Sequence, residues 1–118
     1  MNTNNNSTDN AITHAFQQIE ITLNQKLKKD GYKILHQEQD EHSSENNSVI
    51  WIDEKKALRL RWDPIEKRFI LESSDTMPVS SITVWDDIIL APFDPHKHDE
   101  HYVVTIAGEF VDSLDWLS

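Results

Sequence analysis

The stretch from Val49 to Leu71 constrains the fold more than any other part of the chain. Within SVIWI, ALRLRW and RFILES one apolar set recurs at alternate positions, Val49 and Trp51, then Leu58, Leu60 and Trp62, then Phe69 and Leu71, and DEKK and DPIEK separate the three segments. Alternation of this kind sends successive side chains to opposite faces of a strand. The breaks suit tight turns, the second with proline in a favoured turn position. The segment therefore predicts a three-stranded antiparallel meander. A four-residue turn at 53–56 sets Trp51 opposite Leu58 and Val49 opposite Leu60. A four-residue turn at 63–66 sets Leu60 opposite Phe69 and Leu58 opposite Leu71. A slip of one residue would turn every core side chain outward. One face then gathers Val49, Trp51, Leu58, Leu60, Trp62, Phe69 and Leu71, and the other mixes Ile50, Ile52 and Ile70 with Arg59, Arg61 and Arg68.

The apolar face needs a cover, and the N-terminal third supplies one. Ile12, Ala15, Phe16, Ile19, Leu23 and Leu27 recur at three- and four-residue steps, which predicts a helix from about Asn10 to Lys29. Asp9 is placed to cap its start, lysines gather at its end, and Gly31 is placed to stop it. Residues 1–9 are too polar to repay ordering and read as a disordered tail. YKILHQ at 32–37 reads as a short strand, and the segment 38–48 as a mobile polar loop. Residues 79–91 read as a long strand in which Asp86 and Asp87 break the alternation and suggest a bulge, with a helix as the competing reading. YVVTIA at 102–107 reads as a further strand. A short helix then starts at Glu109, with Phe110, Leu114 and Leu117 on one side. The expected fold class is α+β: an N-terminal helix on an antiparallel sheet of five or six strands, with a short C-terminal helix. Residues 10–118 form a single domain.

The mixed sheet face can be covered in two ways. The C-terminal helix could lay Phe110, Leu114 and Leu117 on the isoleucines while Glu109 and Asp112 meet the arginines. Alternatively a partner, a second copy or another protein, covers it, since arginine beside aliphatics suits interfaces.

Charge bounds the choice of partner. Eleven Lys and Arg face 21 Asp and Glu, for a net charge of −10. Residues 81–118 hold only Lys97 against Asp86, Asp87, Asp94, Asp99, Glu100, Glu109, Asp112 and Asp115, so one cation against eight acids leaves −7 there. Such a field repels nucleic acid and anionic membranes and favours a basic protein. The N-terminus shows neither the cationic start nor the apolar run of an export signal, and no apolar run reaches membrane-spanning length. A cytoplasmic location is the expectation.

The chemistry of the side chains excludes several enzyme classes. Without cysteine there is no thiol nucleophile, thiolate metal site or disulfide. Gly31 and Gly108 are the only glycines, and they are far apart, so a phosphate-cradling loop has no residues to build it. One local cluster stands out, His96-Lys97-His98-Asp99-Glu100-His101. His96, His98 and His101, aided by Asp94 or Asp99, form a donor set suited to zinc. Over these six residues the spacing is similar to the H-x-H-x-D-H pattern of metallo-β-lactamase-type hydrolases, with Glu100 where that pattern has Asp. The further ligands of that fold cannot be located in the chain, and the family is not assigned.

The leading expectation is a non-enzymatic protein-interaction domain, without a cofactor, that uses Asp86, Asp87, Asp112 and Asp115 against a basic partner. Inhibitor or immunity proteins and secretion chaperones share this size and charge. The alternative is a divalent-metal protein using His96, His98 and His101.

Overall fold

A computed structural model describes residues 3–38, 47–97 and 99–117. Helix α1 runs Thr3–Lys29, followed by strands β1 (Lys33–Glu38), β2 (Ser48–Ile52), β3 (Ala57–Asp63), β4 (Arg68–Ser74) and β5 (Asp86–Pro92). A single 3-10 turn at Pro95–Lys97 leads into helix α2 (Glu100–Ser113), and a second at Leu114–Leu117 follows it. The five strands form one antiparallel meander in the order β1-β2-β3-β4-β5, so β1 and β5 are its edges. The α+β class, the N-terminal helix on the sheet and the C-terminal helix are as the sequence predicts. Most of the polar loop expected at 38–48, residues 39–46, lies outside the described residues.

All six members of the α1 stripe are buried against Val49, Trp51, Leu58, Leu60, Trp62, Phe69 and Leu71. The helix begins at Thr3 rather than near Asn10, so Asp9 lies within it rather than at its start. Once the packed turns are nucleated, adding a residue to a helix end takes little free energy even for polar side chains. Its C-terminus closes where expected. Gly31 adopts φ +92°, Tyr32 N–H reaches back to the Leu27 carbonyl at 2.9 Å, and Gly31 N–H reaches that of Lys28 at 3.2 Å. This is the Schellman arrangement, with glycine at the left-handed position.

The β2–β3 register matches the sequence reading, with Trp51 opposite Leu58 and Val49 opposite Leu60. The β3–β4 register does not. Trp62 faces Phe69, Leu60 faces Leu71 and Leu58 faces Ser73, a slip of two residues from the expected pairing. Asp63 stays in the ladder opposite Arg68, and the turn shifts to residues 64–67. The Asp63 carboxylate accepts the N–H groups of Ile65 (3.0 Å) and Glu66 (3.3 Å), and Lys67 takes φ 56° to bring the chain round. Because the slip is even, each side chain keeps its face.

The largest corrections lie after β4. Residues 79–85 are irregular and only Asp86–Pro92 pairs, so the long strand expected at 79–91 is shorter and the competing helix is absent. A register irregularity is present, with Leu71 opposite Ile89 and Glu72 opposite Asp87, which leaves Ile88 as the extra residue. YVVTIA is helix rather than strand. Val103, Ile106, Ala107 and Phe110 are buried at helical spacing, and Asp99 caps the first turn by accepting Tyr102 N–H at 2.7 Å. The sheet therefore has five strands, and α2 starts nine residues before the expected Glu109.

Both helices lie on the same face of the sheet, side by side. Polar contacts dock α1 over β1 and β2: Trp51 Nε1 donates to Asn24 Oδ1 at 3.1 Å and Gln37 Nε2 to Glu20 Oε2 at 2.6 Å. Aromatic contacts anchor the start of α2. Phe93 packs 5.2 Å from Phe69 and 5.7 Å from Tyr102 between ring centroids, and the Tyr102 hydroxyl donates to the Pro92 carbonyl at 2.8 Å.

Candidate functional site

With both helices on one face, the arginine-bearing face is not covered by α2, contrary to the intramolecular arrangement expected for Phe110, Leu114, Glu109 and Asp112. Phe110 and Leu114 are in the core with α1, and the side chain of Leu117 lies outside the described ones. The arginine face is tied together by its own groups instead. Arg59 Nε and Arg61 Nε donate to the same oxygen, Glu72 Oε1, at 2.8 and 3.0 Å. Glu72 is only 4 % exposed. Arg59 Cζ sits 4.5 Å from the centroid of the Trp85 ring, so the irregular segment before β5 returns over this face. Arg68 Nε lies 3.5 Å from Asp63 Oδ2. Burial pushes the Asp63 carboxyl up, but the N–H groups of Glu66 and Ile65 and the charges of Arg61 and Arg68 outweigh it and hold the group below its ordinary value. Ile70 is buried in the middle of this face, while Ile50 and Ile52 are half-buried.

Neither Glu72 nor Trp85 stood out in the sequence as a partner of the arginines. The signal was register. In the expected pairing Arg59 faces Ile70, whereas the observed slip puts it directly opposite Glu72.

The acidic residues converge in part. Asp86 and Asp87 are exposed at the start of β5, Asp112 is exposed in the last turn of α2, and Asp115 is exposed in the turn that follows. Asp87 and Asp112 line one open groove between β5 and α2, joined by Glu109, Ser73, Ile88, Ile89 and Ser113. Its volume is about 630 Å³. Asp86 and Asp115 are not among its lining residues. The bulge at Ile88 and the helical spacing of Glu109 and Asp112 shape the groove and bring three acidic residues into its lining beside two isoleucines. Among the described residues, none of Asp87, Glu109 and Asp112 forms an ion pair with a cation. Chemically, the groove offers uncompensated negative charge beside apolar surface.

His96 and His101 sit on separate elements. His96 is in the 3-10 turn, its N–H donating to Asp94 Oδ1 at 2.9 Å, and His101 is in the first turn of α2. Asp99 is engaged as the cap of α2. His98 lies outside the described residues, and among those described no three His, Asp or Glu side chains are grouped to hold a metal ion. No helix among the described residues is long and apolar enough to cross a membrane.

Comparison with protein-family models, with characterised proteins and with solved structures finds no match for this chain.

Proposed function

We propose that this chain is a non-enzymatic protein-interaction domain that receives a basic, partly apolar segment of a protein partner in the groove between β5 and α2. One observation carries the reading. Asp87 and the pair Glu109 and Asp112 are distant in sequence, yet the fold brings them to one groove with Ile88 and Ile89, and among the described residues no cation forms an ion pair with them. Uncompensated charge at a rim steers an oppositely charged partner, and the apolar wall supplies burial on contact. Residues 81–118 as a whole carry −7, which adds to the attraction for a basic partner.

The test is a titration of isotope-labelled protein with peptides that alternate lysine or arginine with leucine, followed by amide chemical shifts. Shifts should concentrate at Asp87–Ile89 and Glu109–Ser113, weaken steeply with added salt, and vanish in Asp87→Lys/Asp112→Lys. Equal binding by that variant at low salt, or shifts centred elsewhere, would refute the proposal.

A further inference from the structure

The two edges of the sheet are built differently. An edge strand presents a row of backbone N–H and C=O groups that can pair with another chain, and proteins commonly block it with charges, proline or bulges. β5 is blocked in all three ways, by Asp86 and Asp87, by the extra residue Ile88 and by Pro92. β1 reads KILHQE, with charge only at its two ends. Its middle exposes Ile34 (42 %) and Leu35 (49 %), and although it too carries an extra residue, Leu35, it has neither a proline nor a charge inside the strand. Two adjacent aliphatics left open on an edge that pairs with no further strand among the described residues call for a cover.

The order of charges on β1 says what that cover is. The strand begins with Lys33 and ends with Glu38. Antiparallel pairing of β1 with a second β1, in the register that aligns the two six-residue strands end to end, sets Lys33 of each copy opposite Glu38 of the other. The pattern is self-complementary, as a two-fold symmetric contact requires. We infer that the β1 edge is a homodimer contact, in which two copies pair antiparallel through Lys33–Glu38 to make one continuous ten-stranded sheet. The contact lies at the opposite edge of the sheet from the β5–α2 groove and is independent of it. A single strand pair buries little area, so the dimer is weak and depends on concentration. With −10 on each chain, moderate salt should favour it by screening the mutual repulsion.

Sedimentation velocity of the full chain over a concentration series tests this, with circular dichroism to verify that each variant is folded. Wild type should show a monomer–dimer equilibrium. Lys33→Glu and Glu38→Lys each convert two attractive cross-strand pairs into two repulsive ones, and each should weaken dimerisation roughly tenfold. Lys33→Glu/Glu38→Lys restores complementarity and should return to within about twofold of wild type. Leu35→Lys, which guards the edge, should be monomeric. Asp87→Lys/Asp112→Lys should dimerise at least as well as wild type, which separates this contact from the groove. A wild type that stays monomeric, or a dimer that the double swap does not restore, overturns the inference.

Discussion

Replacing Glu72 by leucine strands two guanidinium groups on the arginine face. The carboxylate is 4 % exposed and one of its oxygens takes both Nε donors, at 2.8 and 3.0 Å. Removing one side of a buried ion pair typically costs about 3–5 kcal/mol, because the remaining charge is left without a partner. Here the side chains of Arg59 and Arg61 stay 27 % and 35 % exposed and keep part of their hydration. The low end applies, about 3 kcal/mol. Glu72→Gln keeps an acceptor but loses the charge, and should cost about 1–2 kcal/mol, the margin between charged and neutral hydrogen bonds. The decisive variant removes all three charges. Arg59→Met/Arg61→Met/Glu72→Leu leaves nothing buried unpaired and should lie within about 1 kcal/mol of wild type, even after losing roughly 0.5–1 kcal/mol of the Arg59–Trp85 stacking. Urea unfolding followed by circular dichroism measures all of these. With a slope of about 1.5 kcal/mol/M for a domain of this size, Glu72→Leu should lower the midpoint by roughly 2 M. The reasoning fails if Glu72→Leu shifts the midpoint by less than about 0.3 M, or if the triple variant is as unstable as the single one.

Three further perturbations have signs fixed by the structure. Gly31 needs φ +92°, so Gly31→Ala should cost about 1 kcal/mol although nothing lies within 4 Å of the added Cβ. Gly108 sits in the interior of α2 with equally open space, so Gly108→Ala should instead stabilise by about 0.5–1 kcal/mol in the same urea assay. Burial, followed by the charge and hydrogen bond of Asp53, pushes the Tyr32 phenol up from 10.0 to about 12. The folded chain holds that proton more tightly than the unfolded one. The contribution is therefore complete below pH 10 and lost as pH rises through about 12. Tyr32→Phe should flatten the fall in stability across that window, and parallel curves for variant and wild type would refute the assignment.

The parts of this fold that were legible in the sequence are those in which local pattern and burial agree. The α1 stripe and the first hairpin carry one periodicity each, and no other reading buries the same side chains. The second hairpin was legible in face but not in register. Its turn depends on a left-handed lysine, a position where glycine or asparagine would have signalled the geometry and Lys67 does not. YVVTIA misled for a different reason. Its β-branched residues favour strands, but the stronger constraint was spacing beyond the six residues, from Val103 through Ile106, Ala107 and Phe110 to Leu114. Gly108 looked like a boundary and is merely an exposed helical residue.

These two misreadings determine what could be said of the candidate site. With 102–107 taken as a strand, Glu109 and Asp112 belonged to a detached helix free to swing over the arginines, and the acidity of the last third had an internal use. The longer α2 removes that use. It packs beside α1, on the face away from Arg59 and Arg61, and those two arginines are met instead by Glu72. The corrected register brings Glu72 there, two residues from where the turn alone would have placed the pairing. One internal acid therefore takes the role that Glu109 and Asp112 were expected to fill. Those two remain beside Asp87 in a groove where no cation among the described residues pairs with them, and in the proposed function their charge meets an external partner.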